Sequence, residues 1–247
     1  MKAVFLCAGY GTRLYPLTKD RPKALLSIAG EPLLNHLVRK LEPIAKIDQI
    51  ILVSNGRFYS AFCDWRGRVQ STKKISVVND GTMDNEHRLG ATRDLKLALD
   101  EEQVRDDILV LASDNLFDSD LTSFVSFTEA KKAQAAVGVY DVHDRVLASQ
   151  YGLVETDSES RVTRFLEKPK DPPTTLASMG IYYLSKWCAR LIDRYVETGL
   201  RLDAPGFYME WLSKQTDLFV FSFQGKWFDI GDLDSYQEAD AYFARKR

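Results

Sequence analysis

The beginning of the chain decides its fold, through the stretch Ala3-Val4-Phe5-Leu6-Cys7-Ala8-Gly9-Tyr10-Gly11-Thr12-Arg13-Leu14. Its first part, residues 3–7, is apolar and ends at a glycine-rich turn, which is typical of a fully buried strand. Strands that are apolar throughout form parallel sheets with helices on both faces. The stretch therefore predicts the first strand of an α/β fold, with a loop at the carboxyl end of that strand.

The loop after this strand has the composition of an anion-binding turn. Gly9 and Gly11 allow a close backbone approach, and successive N–H groups in such a turn form a concavity for anions. Arg13 adds a bidentate cation and Lys23 a compact one. The Walker A and dinucleotide patterns do not fit, because Gly11 precedes Thr12-Arg13 and the third glycine is missing. From these residues alone, a plain tight turn and a phosphate-binding loop both remain open.

Strand-like and helix-like segments alternate through the first 140 residues. Further strands are predicted there at residues 49–53, 75–78, 108–112 and 135–139, and helices at 33–45, 57–65, 89–100 and 120–131. Beyond this point, the pattern predicts strands at 151–155, 161–167, 177–184 and 218–223, and helices at 186–198 and from Leu233. The order predicts a doubly wound, Rossmann-like α/β fold with a mixed, mostly parallel sheet and a small β-rich lobe.

The composition excludes some classes of function. Basic and acidic residues number 33 and 35, which gives a net charge of −2 and no bulk attraction to nucleic acid or to an anionic membrane. The apolar run at residues 3–8 is too short for a signal peptide or a membrane span, so we expect a cytoplasmic location. The three cysteines lie far apart and form no CxxC motif, which argues against a structural zinc site.

The segment from Leu6 to Leu26, with the turn Gly30-Glu31-Pro32, closely resembles the signature of the sugar-phosphate nucleotidylyltransferases. That signature is a Gly-x-Gly-Thr-Arg-Leu-x-Pro-Leu-Thr run, then a Pro-Lys pair, then a glycine-proline turn, and the chain resembles in particular the single-domain members related to glucose-1-phosphate thymidylyltransferase. The resemblance implies that Arg13 stabilises the leaving pyrophosphate and that Lys23 contacts the phosphates at the reacting centre. It also implies a set of residues that bind the nucleoside triphosphate, namely Leu6, Ala8, Gly9, Gly11, Thr12 and Arg13.

Two aspartates are candidate metal ligands. Asp114 follows a buried strand and Asp229 lies in Trp227-Phe228-Asp229-Ile230-Gly231. From the residues alone, an aspartate after a strand is also explained by a turn or a helix cap. The resemblance identifies both Asp114 and Asp229 as Mg²⁺ ligands, since they match the family's Gly-Asp-Asn-like and Trp-x-Asp-x-Gly motifs. Ser113 departs from the usual glycine of the first motif.

The resemblance also implies an acceptor site. Glu167-Lys168-Pro169 matches a Glu-Lys-Pro motif whose glutamate binds acceptor hydroxyls and whose lysine binds the acceptor phosphate. Gly152 matches a Tyr-Gly-Val strand, and Gly180 matches a Gly-Ile-Tyr strand below the acceptor. The predicted acceptor-binding residues are therefore Gly152, Glu167, Lys168 and Gly180, and Lys168 joins Arg13 and Lys23 as a catalytic candidate.

The segment that should recognise the base departs from the family. Within residues 80–95, only Leu89-Gly90 and Leu95 match the relatives. Asn85 and Gly90 are predicted to bind the nucleotide. For Asn85, Arg88 and Arg93, contact with the base or the phosphates and a solvated side chain are equally open. The identity of the base therefore stays open.

Together these features predict one domain over residues 1–247. Residues 1–140 would bind the nucleotide, 141–225 the acceptor, and 226–247 would carry a metal ligand and the last helix. The resemblance implies a nucleotidyltransferase that uses Mg²⁺ to transfer a nucleotidyl group from a nucleoside triphosphate to a sugar 1-phosphate. A cytidylyltransferase for a non-sugar phosphate and a catalytically silent regulatory subunit that binds a nucleotide sugar remain open. Relatives are often oligomeric, which leaves a homo-oligomer open for this chain.

Overall fold

A computed structural model describes residues 1–246 of the chain. The first part contains the strands β1 (Lys2–Leu6), β2 (Ser27–Ile28), β3 (Glu31–Pro32), β4 (Gln49–Ser54), β5 (Lys74–Asn79), β6 (Ile108–Ala112), β7 (Asn115–Phe117) and β8 (Ala135–Asp141). Between them lie the helices α1 (Leu33–Leu41), α2 (Tyr59–Arg66), α3 (Ala91–Glu101) and α4 (Thr122–Ala130). The predicted alternation of strands and helices is therefore observed.

The second part is richer in antiparallel strands. It contains β9 (Gly152–Thr156), β10 (Val162–Glu167), β11 (Leu176–Leu184), β12 (Leu218–Ser222) and β13 (Trp227–Asp229). Its helices are α5 (Arg145–Ala148), α6 (Lys186–Glu197), α7 (Pro205–Leu212) and α8 (Leu233–Ala244). The cap of α8 is Asp232, and its side chain accepts a hydrogen bond from Ser235 N at 2.9 Å.

One nine-stranded sheet organises the described residues, with the order β10-β9-β11-β6-β1-β4-β5 and with β8 bridging β11 and β12. The strands β6, β1, β4 and β5 run parallel, whereas β11 is antiparallel to both β6 and β8. The predicted doubly wound, mixed α/β fold is confirmed. The parallel order places the carboxyl ends of β1 and β6 side by side, so the loops after them share one edge of the sheet.

Alternate residues of β1 enter two different cores. Ala3 and Phe5 pack on one face with buried residues of α1, while Val4 packs on the other face with Leu95 of α3. Both faces of the central strands are covered, which explains why the strands are apolar throughout. Helix α1 ends at Leu41 rather than at residue 45, because Pro43 has no backbone N–H to continue the helical hydrogen bonds and its ring clashes with the preceding turn.

No helix within residues 1–246 is both long and apolar enough to cross a membrane. The three cysteines, all within the described range, are free; Cys7 and Cys188 are buried and Cys63 is half-buried.

Candidate active site

The glycine-rich loop after β1 is held in one conformation by side chains from elsewhere. Asn55, which follows β4, donates from Nδ2 to the carbonyl of Ala8 at 2.9 Å. Thr18 is fully buried and donates from Oγ1 to the carbonyl of Gly11 at 2.7 Å. Gly11 has a φ of 60°, and a Cβ there would come within 3.2 Å of Thr18 Cγ2. These contacts within the protein therefore hold the loop in place, and the side chain of Arg13 at its end is exposed.

Lys23 links this loop to the end of β6. Its Nζ donates to Asp114 Oδ2 at 2.6 Å and to the carbonyl of Ile230 at 2.9 Å. Ser113, where the family usually has glycine, donates from Oγ to the carbonyl of Leu6 at 2.7 Å and so ties β6 to β1. The serine at residue 113 therefore anchors the end of β6, and the side chain of Asp114 beside it is 29% exposed.

A short antiparallel ribbon of β7 and β13 brings the second aspartate to the first. Asp229 pairs in register with Asn115, the residue after Asp114. Asn115 donates from Nδ2 to Asp114 Oδ1 at 2.9 Å and accepts at Oδ1 from Trp227 Nε1 at 2.7 Å. The backbone N–H of Ile230 also donates to the carbonyl of Asp114 at 2.9 Å. The two predicted metal ligands, which lie far apart in the sequence, are thus brought together.

The two carboxylates act on each other electrostatically. Burial, together with the charge of Asp114, raises the pKa of Asp229 to about 6, although Lys23, Arg13 and Lys168 oppose this rise. Burial also acts to raise the pKa of Asp114, but the charge and hydrogen bond of Lys23 outweigh it and hold that pKa below its ordinary value. A bound divalent cation would favour both ionised carboxylates, and carboxylate oxygens are the ligands that Mg²⁺ prefers. The donor set therefore fits such an ion.

A cavity of about 410 Å³ opens over the glycine-rich loop. It is lined by all the residues that the sequence assigns to the nucleotide, namely Leu6, Ala8, Gly9, Gly11, Thr12, Arg13, Asn85 and Gly90. Lys23 and Asp114 line it too, and so does Arg88, while Arg93 is exposed on α3. We call this space the nucleotide cavity.

A second cavity, of about 580 Å³, lies beside the first. It is lined by all the predicted acceptor-binding residues, namely Gly152, Glu167, Lys168 and Gly180, together with Asp229. We call it the acceptor cavity. Arg13 and Asp114 line both cavities. The two spaces therefore meet at a cation and a carboxylate.

The acceptor cavity has a tightly packed wall around Glu167. A Cβ on Gly206 would lie 1.8 Å from Glu167 Oε2, so a side chain at residue 206 would displace this carboxyl group. Burial raises the pKa of Glu167 to about 7, with the nearby charges of Asp203 and Glu210 adding to the rise and Lys168 opposing it. Because residue 206 is a glycine, its backbone can lie close to Glu167, and the half-buried carboxyl group of Glu167 stays beside the cavity.

Several lining residues were given no role from the sequence, although Tyr151 and Trp227 lie within matched motifs. Tyr151 and Trp227 line the acceptor cavity with their ring centroids 5.0 Å apart. Asp94 lines the nucleotide cavity. Pro205 begins α7 and also lines the acceptor cavity. Helical periodicity cannot reveal such contacts, because they depend on packing between distant segments.

The family can now be stated. The model of the nucleotidyl transferase family matches residues 2–246, and the chain therefore belongs to this family. The resemblance predicted from the glycine-rich loop is confirmed.

The chain is similar to curated proteins of two names. It is 30% identical over 250 residues to the bifunctional protein GlmU of Methanocaldococcus jannaschii, an alignment that covers 100% of this chain and 55% of that protein. It is also 30% identical over 192 residues to the UTP–glucose-1-phosphate uridylyltransferase AglF of Haloferax volcanii, which covers 74% of this chain and 71% of that protein. The chain spans about half the length of the GlmU relatives that it matches.

A solved structure agrees with this placement. The chain superimposes on a Bacillus anthracis protein assigned as a glucose-1-phosphate thymidylyltransferase, with a TM-score of 0.83 and 26% identity. The superposition covers 100% of this chain and 96% of that one. The fold around the two cavities is therefore that of the family.

Proposed function

We propose that the chain transfers a nucleotidyl group from a nucleoside triphosphate to a sugar 1-phosphate, giving a nucleoside diphosphate sugar and pyrophosphate. The observation that carries this proposal is the junction of the two cavities, where Arg13 and Asp114 line both spaces. A triphosphate in one cavity and a phosphorylated acceptor in the other would present their reacting phosphates to each other at that junction. The names of the relatives, which act on sugar 1-phosphates, support the choice of acceptor.

The reaction is a direct in-line displacement. An oxygen of the acceptor phosphate attacks the α-phosphorus, the bond from the α-phosphorus to the oxygen that bridges to the β-phosphate breaks, and pyrophosphate leaves with that oxygen. The protein contributes position and charge in such a step, and no side chain becomes a nucleophile. Arg13 and Lys23 stabilise the negative charge that grows on the phosphates. Lys168 holds the attacking phosphate from the acceptor side.

Asp114 and Asp229 are the residues that would hold Mg²⁺, together with phosphate oxygens of the substrate. When bound, the ion neutralises negative charge on the phosphates. Lys23 donates a hydrogen bond to Asp114 and keeps this carboxylate oriented and ionised. Asn115 orients the other oxygen of the same carboxylate.

A cytoplasmic location remains a prediction from the sequence.

The experiment that tests the proposal is a substrate panel. Five nucleoside triphosphates are combined with several sugar 1-phosphates and phospho-alcohols in the presence of Mg²⁺, and pyrophosphate release is measured. We expect release with at least one triphosphate and sugar 1-phosphate pair. Release only with CTP and a phospho-alcohol would favour the cytidylyltransferase alternative. Binding of a triphosphate with no reacting pair would favour a silent regulatory subunit.

A further inference from the structure

The segment after β5, residues 80–90, forms a wall of the nucleotide cavity that takes no part in the mechanism above. Asn85, Arg88 and Gly90 of this segment line the cavity. In the sheet, β4 and β5 lie on one side of β1, whereas β9, β10 and β11, which carry the predicted acceptor-binding residues, lie on the other side. The proposed function places the phosphates over the loop after β1, so residues 80–90 are left to hold the nucleoside half of the triphosphate.

Most of this wall forms no hydrogen bond to the rest of the protein. Among residues 1–246, every hydrogen bond of the stretch 83–89 joins two members of that stretch. Arg88, for example, donates from Nη1 to the carbonyl of Asn85 at 2.9 Å. The stretch therefore takes its position from the residues at its two ends, which are Thr82 and the start of α3.

Thr82 is buried and is hydrogen-bonded on several sides. Its carbonyl accepts from Gly56 N at 2.7 Å, and its own N–H donates to Asp80 Oδ1 at 2.7 Å. Its hydroxyl donates to the same Asp80 oxygen at 2.8 Å and lies 2.9 Å from the hydroxyl oxygen of Tyr10. Because a threonine hydroxyl has a single proton, which here is donated to Asp80, the Tyr10 hydroxyl donates to Thr82.

Tyr10 connects this anchor to the glycine-rich loop. It is a buried residue of that loop, and it also lines the nucleotide cavity. Its bond to Thr82 is the one hydrogen bond among residues 1–246 that joins residues 8–13 directly to residues 80–90. The loop itself does not need this bond, because side chains from elsewhere hold the carbonyl groups on both sides of Tyr10. The Tyr10 hydroxyl therefore acts on the wall rather than on the loop.

Given the proposed function, on which this inference rests, we propose that Tyr10 is a positioning residue for the nucleoside. Acting through Thr82, its hydroxyl holds residues 80–90 at the distance from the glycine-rich loop that a nucleoside and its phosphates require. A wall that is held before the ligand arrives binds it more tightly than one that is ordered only on binding. Loss of the hydroxyl should therefore weaken contacts to the nucleoside and leave contacts to the phosphates unchanged.

Calorimetric titration of the full chain tests this role without knowledge of the acceptor. GTP, CTP, ATP, UTP and dTTP are titrated with Mg²⁺ into the wild type. The triphosphate that binds most tightly is then compared with inorganic tripolyphosphate, which carries three phosphates and no nucleoside. Tyr10→Phe keeps the ring, and we expect it to bind the nucleotide roughly 2- to 10-fold more weakly, as for the loss of one hydrogen bond. Its affinity for tripolyphosphate should match that of the wild type.

Tyr208→Phe is the matched control. Tyr208 is also buried and donates its hydroxyl to a backbone carbonyl, that of Cys188, but it is not among the described residues that line either cavity. This variant should lose thermal stability, as Tyr10→Phe should, while both affinities stay at the wild-type values. An equal loss of nucleotide affinity in Tyr208→Phe would show a general effect of lost stability and would overturn the inference.

A double-mutant cycle separates positioning from direct contact, since Tyr10 itself lines the cavity. Thr82→Val removes the hydroxyl that accepts from Tyr10 and keeps the shape of the side chain. If Tyr10 acts only through Thr82, adding Tyr10→Phe to Thr82→Val should weaken nucleotide binding no further. Thermal unfolding verifies that each variant is folded.

Other outcomes would also overturn the inference. One is a nucleotide affinity that Tyr10→Phe leaves unchanged. Another is an equal loss for the nucleotide and for tripolyphosphate, which would mean that the hydroxyl supports the whole cavity. A third is additive losses in the double variant, which would mean that Tyr10 contacts the nucleotide itself. Failure of every triphosphate to bind the wild type would instead overturn the proposed function together with this inference, so the two failures are distinguishable.

Discussion

At the scale of single residues, Asp114 carries several roles at once. It accepts hydrogen bonds from Lys23 and Asn115. Its charge raises the pKa of Asp229, and it lines both cavities. No other side chain of the described residues combines these contacts. The account therefore depends on Asp114 more than on any other residue.

Asp114→Ala should lower kcat by roughly 100-fold or more, because it removes a metal ligand and the partner of Lys23. Steady-state pyrophosphate release measures the effect. Asp118→Asn is the matched control, since Asp118 is a carboxylate four positions along the chain that accepts hydrogen bonds from Lys226 N and Tyr242 instead. Its turnover should stay within a few-fold of wild type. Near-normal turnover in Asp114→Ala would contradict the metal assignment.

The Asp94 carboxyl group should make stability depend on pH. Burial raises its pKa to about 7 in the folded state, above the ordinary value of 3.8 that applies to the unfolded chain. The folded state therefore binds the proton more tightly, and the stability that this contributes is complete below pH 3.8 and is lost as the pH rises through 7.

Asp94→Asn should remove this part of the pH dependence, because the amide does not ionise. Between about pH 5 and about pH 8, the free energy of unfolding of the wild type should fall by on the order of 2 kcal/mol more than that of the variant. Urea denaturation at both pH values measures the difference. Equal pH dependence in the two proteins would show that the carboxyl group titrates normally.

At the scale of elements, the ribbon of β7 and β13 is what positions Asp229. Its strands have three residues each, and the Trp227 indole fixes Asn115 beside Asp114. Trp227→Phe should raise the Mg²⁺ concentration for half-maximal rate by roughly 10-fold, as for loss of a group that orients a ligand. Trp187→Phe, at a 47% exposed position on α6, is the control and should leave this concentration unchanged. An unchanged value in Trp227→Phe would mean that the ribbon does not order the metal site.

The bulge in β11 gives a second testable prediction, which concerns Gly180. The register of β11 against β8 shifts between Ser178 and Ile181, and Gly180 within this bulge has a φ of 67°. A Cβ there would lie 2.6 Å from Ala112 Cβ on β6. The floor of the acceptor cavity thus requires glycine for both its backbone angle and its contact.

Gly180→Ala should lower the free energy of unfolding by about 2–5 kcal/mol, the sum of the left-handed strain and the overpacking. Gly199→Ala tests the strain alone, since Gly199 has a φ of 70° and open space around its Cβ position. It should cost about 1–2 kcal/mol. Denaturant unfolding compares the two variants, and equal losses would contradict the contact with Ala112.

The elements also show what a sequence can and cannot predict here. The long strands and helices were predictable, because their apolar runs and helical stripes are local properties. The ribbon was not, since three-residue strands have no periodicity. Nor was the contact in which Thr92 N donates to the carbonyl of Leu202 at 3.0 Å, because it depends on packing between distant segments. The motif residues line the two cavities, and their roles stay a prediction, but the partners of Lys23 and the burial of Asp94 required the structure.

At the scale of the whole molecule, the sheet brings the two cavities together. The loop after β1 and the end of β6 line the nucleotide cavity. The strands β9, β10 and β11 extend the same sheet toward the acceptor cavity. The division into residues 1–140, 141–225 and 226–247 by function stays a prediction, as does a homo-oligomer. The central claim is that these cavities hold two substrates that react directly with each other.

The most direct test of this claim is phosphorus NMR of the reaction mixture. The protein is incubated with Mg²⁺ and the triphosphate and sugar 1-phosphate selected by the panel, and each component is omitted in turn. The account predicts equal amounts of pyrophosphate and nucleoside diphosphate sugar, formed only when every component is present. Release of orthophosphate, or release of pyrophosphate without acceptor while the nucleotidyl group stays on the protein, would contradict it.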